Sequence, residues 1–241
     1  MAAITMIIPR SVAAQVTGIE LTDFTMRIWV DDVLIERPVV STAVTNDSFT
    51  TDLTGWTDAD ESGATSDWVL DPVGSPSHGY MSFESDGTAY GIRYQLVSVN
   101  PTDYNIEHGI RILIERGPVV LRVGSTLAGD EYISETTLGT GVHSLAVTPT
   151  GDFYIQFQSR EVPLRLISQC SIETVGTMSI TTPWSSSVLD YVRYDQSGDV
   201  VYCACVDIQQ RKLERRGIHS WSVVLYAPNT GPFKLENITP T

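Results

Sequence analysis

Hydrophobic and polar positions alternate with a period of two along most of this chain, which is typical of strands with one buried face. Nine segments show this alternation or a run of β-branched and aromatic residues: Thr25–Leu34, Ala89–Val99, Gly109–Glu115, Val119–Val123, His143–Thr148, Asp152–Gln158, Leu164–Glu173, Asp199–Val206 and Ser220–Tyr226. Turn-forming residues such as Asn100-Pro101 separate these segments. No long window has a helical period, and Ser185–Tyr194 is the best candidate for one short helical turn. The pattern predicts an all-β protein.

The segment Asn46–Trp56 has an aromatic residue at either end of a polar loop. Its Asn46, Phe49, Leu53, Gly55 and Trp56 resemble the first strand of carbohydrate-binding jelly-roll modules, which reads roughly N-x-x-F and then L-x-G-W. The resemblance covers about 130 residues. It implies a jelly-roll β-sandwich whose first and last strands lie side by side, so that the module can be inserted into another domain.

The flanking segments fit such an insertion. Residues 1–45 and 176–241 are each too short for a comfortable independent β-domain, but together they supply about 110 residues, a typical domain size. We therefore predict a jelly-roll β-sandwich at residues 46–175, inserted into a smaller discontinuous β-domain made of residues 1–45 and 176–241. Acidic, Ser- and Gly-rich connections are expected within Thr57–Gly79.

The last sixty residues carry the most informative pattern. Its elements, in order, are Pro183-Trp184, Leu189, Val192-Arg193-Tyr194, Gln196–Tyr202, Arg211-Lys212-Leu213, Arg215, Ser220-Trp221 and Gly231-Pro232-Phe233. This order resembles a segment near the start of tail proteins of tailed bacteriophages, in particular the nozzle or tail-tubular family, and Phe24–Val44 resembles that group's N-terminal strand more weakly. The resemblance implies a tail component that is made in the bacterial cytoplasm, is located in the virion, and packs against copies of itself and other virion proteins.

The charge balance narrows the choice of partners. Fifteen Lys and Arg against 29 Asp and Glu give a formal net charge of −14. Such a surface repels phosphate backbones and anionic lipids, so we expect neither nucleic-acid sequence recognition nor membrane-surface binding. No run approaches the ~18 apolar residues of a membrane span, so no membrane insertion is expected. All but two of the fifteen cations are Arg, which favours partly buried pairing at subunit interfaces.

One basic cluster stands out in this acidic chain: Arg211, Lys212, Arg215 and Arg216. In a ring of identical subunits these side chains would meet an acidic face of the neighbour and fix the register, with Asp199 holding the preceding turn. This predicts an assembly interface. The alternatives are a solvated hairpin tip and a contact with DNA in a conduit.

The sequence offers two sets of candidate ligand-binding residues. Asp58, Asp60 and Glu61 offer hard oxygen atoms for a structural calcium ion, the alternative being solvated acidic loops. Four aromatic residues are candidates for stacking on a host surface glycan, with core or hairpin packing as the alternative for each: Trp68, Tyr80, Tyr90 and Tyr94.

No recognisable catalytic set is present. The four histidines lie in different segments without metal-ligand spacing, and no G-x-S-x-G motif occurs, so no enzyme and no cofactor is predicted. Together the patterns predict a virion structural protein of a tailed bacteriophage, a tail or head–tail component that forms a homo-oligomer and displays a jelly-roll domain. The alternative is a non-catalytic carbohydrate-binding or receptor-binding module.

Overall fold

Nearly all regular structure in the protein is strand, as the alternation predicts. The computed structural model describes residues 3–6, 16–70 and 78–228. Its first strands are β1 (Ile4–Met6), β2 (Val16–Thr22), β3 (Thr25–Val30), β4 (Val33–Leu34), β5 (Glu36–Arg37), β6 (Thr57–Asp58), β7 (Ala64–Leu70), β8 (Gly79–Ser85), β9 (Gly91–Val97) and β10 (His108–Arg116). The others are β11 (Val119–Gly124), β12 (Ile133–Leu138), β13 (Gly141–Val147), β14 (Phe153–Ser159), β15 (Arg165–Ile172), β16 (Gly176–Thr177), β17 (Ile180–Thr181), β18 (Arg193–Ser197), β19 (Val200–Cys205), β20 (Ile208–Gly217) and β21 (Ser220–Leu225). The predicted all-β class is confirmed.

Helical structure is limited to two single turns in the described residues, the 3₁₀ turns Pro101–Asp103 and Leu189–Tyr191. The second lies inside Ser185–Tyr194, where the sequence predicts a short helical turn. Asn100 caps the first, since its side-chain oxygen accepts a hydrogen bond from the Thr102 backbone nitrogen.

Strands β8 to β15 form two facing antiparallel sheets. One sheet has the order β13-β10-β15-β8 and continues into β7, and the other has the order β12-β11-β14-β9 and continues into β6. Two facing sheets with the orders β8-β15-β10-β13 and β9-β14-β11-β12 have the strand order of a jelly roll. Large apolar side chains fill the space between the sheets, including Phe49, Trp56, Phe83, Phe153 and Phe157.

The first of these sheets also extends in the other direction. Strand β13 pairs with β21, so that the complete sheet has nine strands in the order β18-β19-β20-β21-β13-β10-β15-β8-β7. A second hydrophobic core lies against its added strands and includes Trp184, Leu189, Leu213 and Trp221. It also takes residues from a sheet of β1, β2, β3, β4 and β17. Two cores therefore share one sheet, while the boundaries of the inserted domain stay a prediction.

A buried arginine lies where the chain enters and leaves the jelly roll. Arg37, on β5 beside β16, is 2% exposed. Its Nε donates to Glu173 Oε2 at 2.6 Å and its Nη1 to Glu107 Oε1 at 2.8 Å. Its Nη2 donates to Ser144 Oγ at 2.7 Å and to the His219 carbonyl oxygen at 3.1 Å. One guanidinium thus ties β5 to the segments beside β10 and β15, to β13, and to the β20–β21 turn.

A buried histidine makes a second polar contact between β13 and β21. His143 Nε2 donates to the Gly139 carbonyl oxygen at 2.9 Å, so Nδ1 accepts from Ser222 Oγ at 2.8 Å. Burial, with a smaller effect of the Arg216 charge, lowers the pKa of His143 to about 4. The imidazole is therefore neutral at physiological pH.

Two strands lie where the sequence predicts something else. Strand β7 occupies part of Thr57–Gly79, which is predicted as connections, because Ser66 and Asp67 interrupt the apolar pattern. Strand β20 contains the predicted basic cluster, which is therefore part of the sheet rather than a solvated hairpin tip. The polar residues Ser66 and Asp67 of β7 contact groups that are distant in sequence, whereas Lys212 and Arg216 of β20 pair with Glu214 of the same strand.

Candidate assembly interface

Strand β18 is the outermost strand of the nine-stranded sheet, and a groove runs beside it. The groove has a volume of about 300 Å³ and a mostly apolar lining. We call it the arginine–tyrosine groove and define it by Arg193, Tyr194, Tyr202, Arg211 and Tyr226. The exposed carboxylate of Asp195 also lines it. An edge strand offers unpaired backbone groups, so such an edge is a natural place for contact with another chain.

The rings in the groove are held by strand pairing. Tyr202 lies opposite Asp195 on one neighbour and opposite Lys212 on the other. The rings of Tyr202 and Tyr226 meet edge to face, with centroids 5.4 Å apart. Tyr202 is nevertheless 38% exposed, and Tyr194 is 47% exposed. The groove therefore offers aromatic surface to a partner.

The two arginines of the groove are held by backbone carbonyl groups. Arg193 Nη1 donates to the carbonyl oxygens of Asp190 at 2.9 Å and Val192 at 3.1 Å. Arg211 Nη1 donates to the carbonyl oxygen of Gln209 at 3.2 Å. Neither guanidinium forms an ion pair with a carboxylate in the described part of the chain. Burial lowers the pKa of Arg211, but a guanidinium stays protonated at neutral pH.

The other members of the predicted basic cluster are neutralised within the chain. Lys212 Nζ and Arg216 Nη2 lie 2.6 and 2.8 Å from the two carboxylate oxygens of Glu214. Burial would raise the pKa of Glu214, but hydrogen bonds and charge from these two cations lower it below its ordinary value. Arg215 pairs with Asp199 at 3.2 Å. Of the predicted interface residues, only Arg211 carries a charge without a carboxylate partner among the described residues.

Arg216 has a further role inside the molecule. Its Nη1 donates to Thr136 Oγ1 at 2.9 Å, and its Nη2 donates to the Thr137 carbonyl oxygen at 3.1 Å. Both acceptors belong to β12 of the jelly roll, so Arg216 connects β20 to the second sheet. Sequence reasoning included Arg193 in the pattern that resembles tail proteins but not among the candidate interface residues, because it is a single cation between Val192 and Tyr194 and belongs to no charge cluster.

The four aromatic residues predicted for glycan contact are not brought together. Trp68 Nε1 donates to the Phe49 carbonyl oxygen at 2.7 Å, and its ring packs against the jelly-roll core. Tyr80 is 9% exposed. The guanidinium carbon of Arg160 lies over the ring of Tyr90, 5.6 Å from the centroid of that ring. Only Tyr94 lies on a sheet face with other groups suited to a sugar.

That face is the outer side of the sheet β12-β11-β14-β9-β6. The rings of Tyr94 and Tyr154 have centroids 6.1 Å apart, and Tyr94 lies opposite Gln156 in the β9–β14 pair. Gln156 Nε2 donates to Gln158 Oε1 at 2.9 Å. Arg122 lies opposite Gln156 on the other side. The face therefore combines two rings with the partly exposed Arg122 and with Gln156 and Gln158, which are 5% and 7% exposed.

The three carboxylates predicted for calcium each contact protein groups, and the calcium site stays a prediction. Asp60 accepts hydrogen bonds from Ser66 Oγ at 2.7 Å and from the backbone nitrogens of Ser66 and Ile92 at 2.5 and 2.6 Å. Glu61 accepts from the Tyr90 nitrogen at 2.8 Å, and Asp58 pairs with Arg93 at 3.3 Å. No group of three or more His, Cys, Asp and Glu side chains in the described ranges is arranged to hold a metal ion. Asp60 fastens β7 to β9.

Comparisons with protein-family models, curated proteins and solved structures find no match to this chain. In the part of the chain that the structure describes, no helix has the length and apolar character needed to cross a membrane.

Proposed function

We propose that the protein is a virion structural protein of a tailed bacteriophage. It is a tail or head–tail component that assembles with copies of itself and with other virion proteins and displays its jelly-roll sandwich. The observation that carries the proposal is the arginine–tyrosine groove at the β18 edge. Tyrosine and arginine are enriched at protein interfaces and dominate their binding energy.

Part of the pattern that resembles phage tail proteins builds this edge of the sheet, while its Gly231-Pro232-Phe233 lies outside the described residues. Tyr194 and the segment Gln196–Tyr202 form the β18–β19 hairpin, and Arg211 lies on the next strand. Trp221 anchors β21 in the second core with 1% of its surface exposed. The resemblance and the groove therefore coincide in one part of the fold, which supports an assembly role for it.

Electrostatics favours the same surface. A chain of net charge −14 repels its own copies, so a close contact between copies needs local positive charge. Arg193 and Arg211 supply it without an internal carboxylate partner in the described residues. Their planar donors suit paired hydrogen bonds to carboxylates of another chain.

The virion role is tested on particles of the phage that encodes the chain. Quantitative mass spectrometry of purified particles should find the protein at a fixed copy number per particle. A variant of this phage that encodes Tyr202→Ser and Tyr226→Ser should contain fewer copies of the protein per particle. Tyr104→Ser, on the jelly roll, is the control and should not change the copy number. Absence of the protein from particles, despite its synthesis in infected cells, would contradict the proposal.

A second candidate function is binding of a host surface glycan. The observation that favours it is the outer sheet face with Tyr94, Tyr154, Gln156 and Gln158. Aromatic rings stack on the apolar faces of sugar rings, and amides hydrogen-bond to sugar hydroxyl groups.

Glycan binding is tested with the purified protein on a glycan array. The double variant Tyr94→Ala, Tyr154→Ala should lose the signal of the wild-type protein. Tyr104→Ala is the matched control, because Tyr104 is 37% exposed and lies outside this face. No signal from the wild-type protein, or equal signals from all three, would exclude this face as a glycan site.

A further inference from the structure

The two ends of the nine-stranded sheet differ in charge. One end is the arginine–tyrosine groove beside β18, and the other is the edge strand β7. Around β7 lies a set of exposed carboxylates, which we call the acidic edge: Asp58, Glu61, Asp67, Glu84 and Asp86. We propose that copies of this chain associate head to tail, with the groove of one copy receiving the acidic edge of the next. This inference rests on the proposed function and names the contact that would build the oligomer.

Strand pairing explains why the acidic edge forms one surface. Glu84 belongs to β8, where it lies opposite Thr65 of β7, and Asp67 lies two residues further along β7. Alternate residues of a strand share a face, so Asp67 and Glu84 point to the same side of the sheet. Asp86 lies in the following turn, where its backbone nitrogen donates to the Gly63 carbonyl oxygen at 3.1 Å.

Three of the five carboxylates of the acidic edge, Glu61, Glu84 and Asp86, form no ion pair among the described residues, and the other two share one cation. Arg93 pairs with Asp58 at 3.3 Å and approaches Asp67 to 3.9 Å, and its side chain is 12% exposed. Glu61 accepts from the backbone nitrogen of Tyr90, which leaves its charge uncancelled. This charge lies in a stretch that is strongly acidic, since residues 46–100 contain nine Asp or Glu and one Arg.

The two surfaces cannot meet within one molecule. Nine strands about 4.8 Å apart place the outer strands on the order of 38 Å from each other. A contact between them therefore needs a second copy, in which the same two surfaces recur. Such a contact joins different patches on the two partners, and its repetition produces a closed ring or an open filament.

Side chains rather than a continued backbone ladder would form this contact. At the middle of β7 the Ser66 backbone nitrogen already donates to Asp60, and the Ser66 carbonyl oxygen accepts from Arg93. Asp67 and Glu84 remain exposed for a partner. Two guanidiniums meeting two carboxylates next to tyrosine rings give the charge complementarity that fixes orientation.

The test is a charge-swap experiment read by light scattering. The groove variant carries Arg193→Glu and Arg211→Glu, and the edge variant carries Asp67→Arg and Glu84→Arg. Each variant alone should fall from the wild-type oligomer mass to the 26.5 kDa of one chain. An equimolar mixture should regain oligomers, because each groove then meets an edge of opposite charge.

Two controls separate this contact from general charge effects and misfolding. Arg27→Glu reverses an exposed cation outside both surfaces and should leave the oligomer mass unchanged. Thermal melting should show that both double variants unfold within a few degrees of the wild-type protein. Raising the salt concentration should weaken the wild-type oligomer, since exposed charges are screened over about 8–10 Å at physiological ionic strength.

The outcomes distinguish this contact from the broader proposal. If the wild-type protein forms an oligomer that both double variants keep, the head-to-tail contact is wrong and the assembly role stands. If both variants dissociate and their mixture stays monomeric, the pairing of these two surfaces is wrong. A monomeric wild-type protein would overturn the contact and self-assembly together.

Discussion

Replacement of Arg37 by methionine should destabilise the whole molecule. Met keeps much of the side-chain volume but removes the guanidinium that contacts Glu173, Glu107, Ser144 and the carbonyl oxygen of His219. The Glu173 side chain is 8% exposed and would be left as a buried charge with a hydroxyl group as its remaining partner. Breaking a buried ion pair in this way costs about 3–5 kcal/mol of unfolding free energy.

Urea denaturation at pH 7 and differential scanning calorimetry measure this loss. For a chain of this length, a loss of about 3–5 kcal/mol corresponds to a melting temperature lower by roughly 6–20 °C. The matched control is Arg27→Met, since Arg27 lies 3.6 Å from Glu20 with 44% of its side chain exposed. Such surface pairs contribute about 0–1 kcal/mol.

A double variant separates the buried charge from simple loss of packing. Arg37→Met combined with Glu173→Gln removes both charges, so its destabilisation should be smaller than the sum of the two single effects. If Arg37→Met and Arg27→Met lower the unfolding free energy equally, Arg37 does not join the two parts of the fold as described.

Three further predictions follow from buried or crowded groups. The unfolded chain takes up a proton near pH 6.5, whereas buried His143 does so only near pH 4. The unfolding free energy should therefore fall by about 3 kcal/mol as the pH falls through that window. Urea titrations should show that His143→Gln loses this component, whose slope fades roughly one pH unit above 6.5. Asp60→Ala should cost about 1–3 kcal/mol, since the backbone nitrogens of Ser66 and Ile92 lose their acceptor; a variant as stable as the wild-type protein in urea titrations would contradict this role of Asp60. Gly109→Ala would place a methyl group against Glu173 Oε2 and Arg37 Nε and should cost about 1–3 kcal/mol, whereas Gly151→Ala meets nothing within 4 Å and should change stability by less than about 0.5 kcal/mol in the same melts.

The sequence predicts the strands that keep one face apolar. The predicted segments Gly109–Glu115 and Asp152–Gln158 differ from β10 and β14 by one residue at each end. Their alternate side chains all enter the jelly-roll core, as Ile110, Ile112 and Ile114 do in β10. The apolar side chains that identify such a strand in the sequence also stabilise it, because they are the ones that are buried in the core.

Apolar alternation does not identify strands whose charged side chains pair with one another. In β20 the cations Lys212 and Arg216 lie on the same side as Glu214, and only Leu213 of the segment Arg211–Arg216 is buried. Because charged residues occupy both faces of this strand, its sequence lacks the apolar alternation and resembles that of a basic loop. Local sequence cannot show that a carboxylate cancels two of its cations.

The long-range polar contacts are invisible to sequence for a different reason. The partners of Arg37 lie between 70 and 182 residues away along the chain. A lone Arg in the dipeptide Glu36-Arg37 gives no sign of burial, and only the pairing of β5 with β16 brings it to Glu173. The same holds for the groove, whose Tyr226 follows β21 and meets Tyr202 of β19 across the intervening strand β20.

Self-assembly is the central claim, and the solution mass of the purified wild-type protein tests it most directly. Multi-angle light scattering across micromolar concentrations should give one defined mass, three or more times the 26.5 kDa of the chain. A mass of 26.5 kDa at every concentration would contradict the assembly role of the arginine–tyrosine groove.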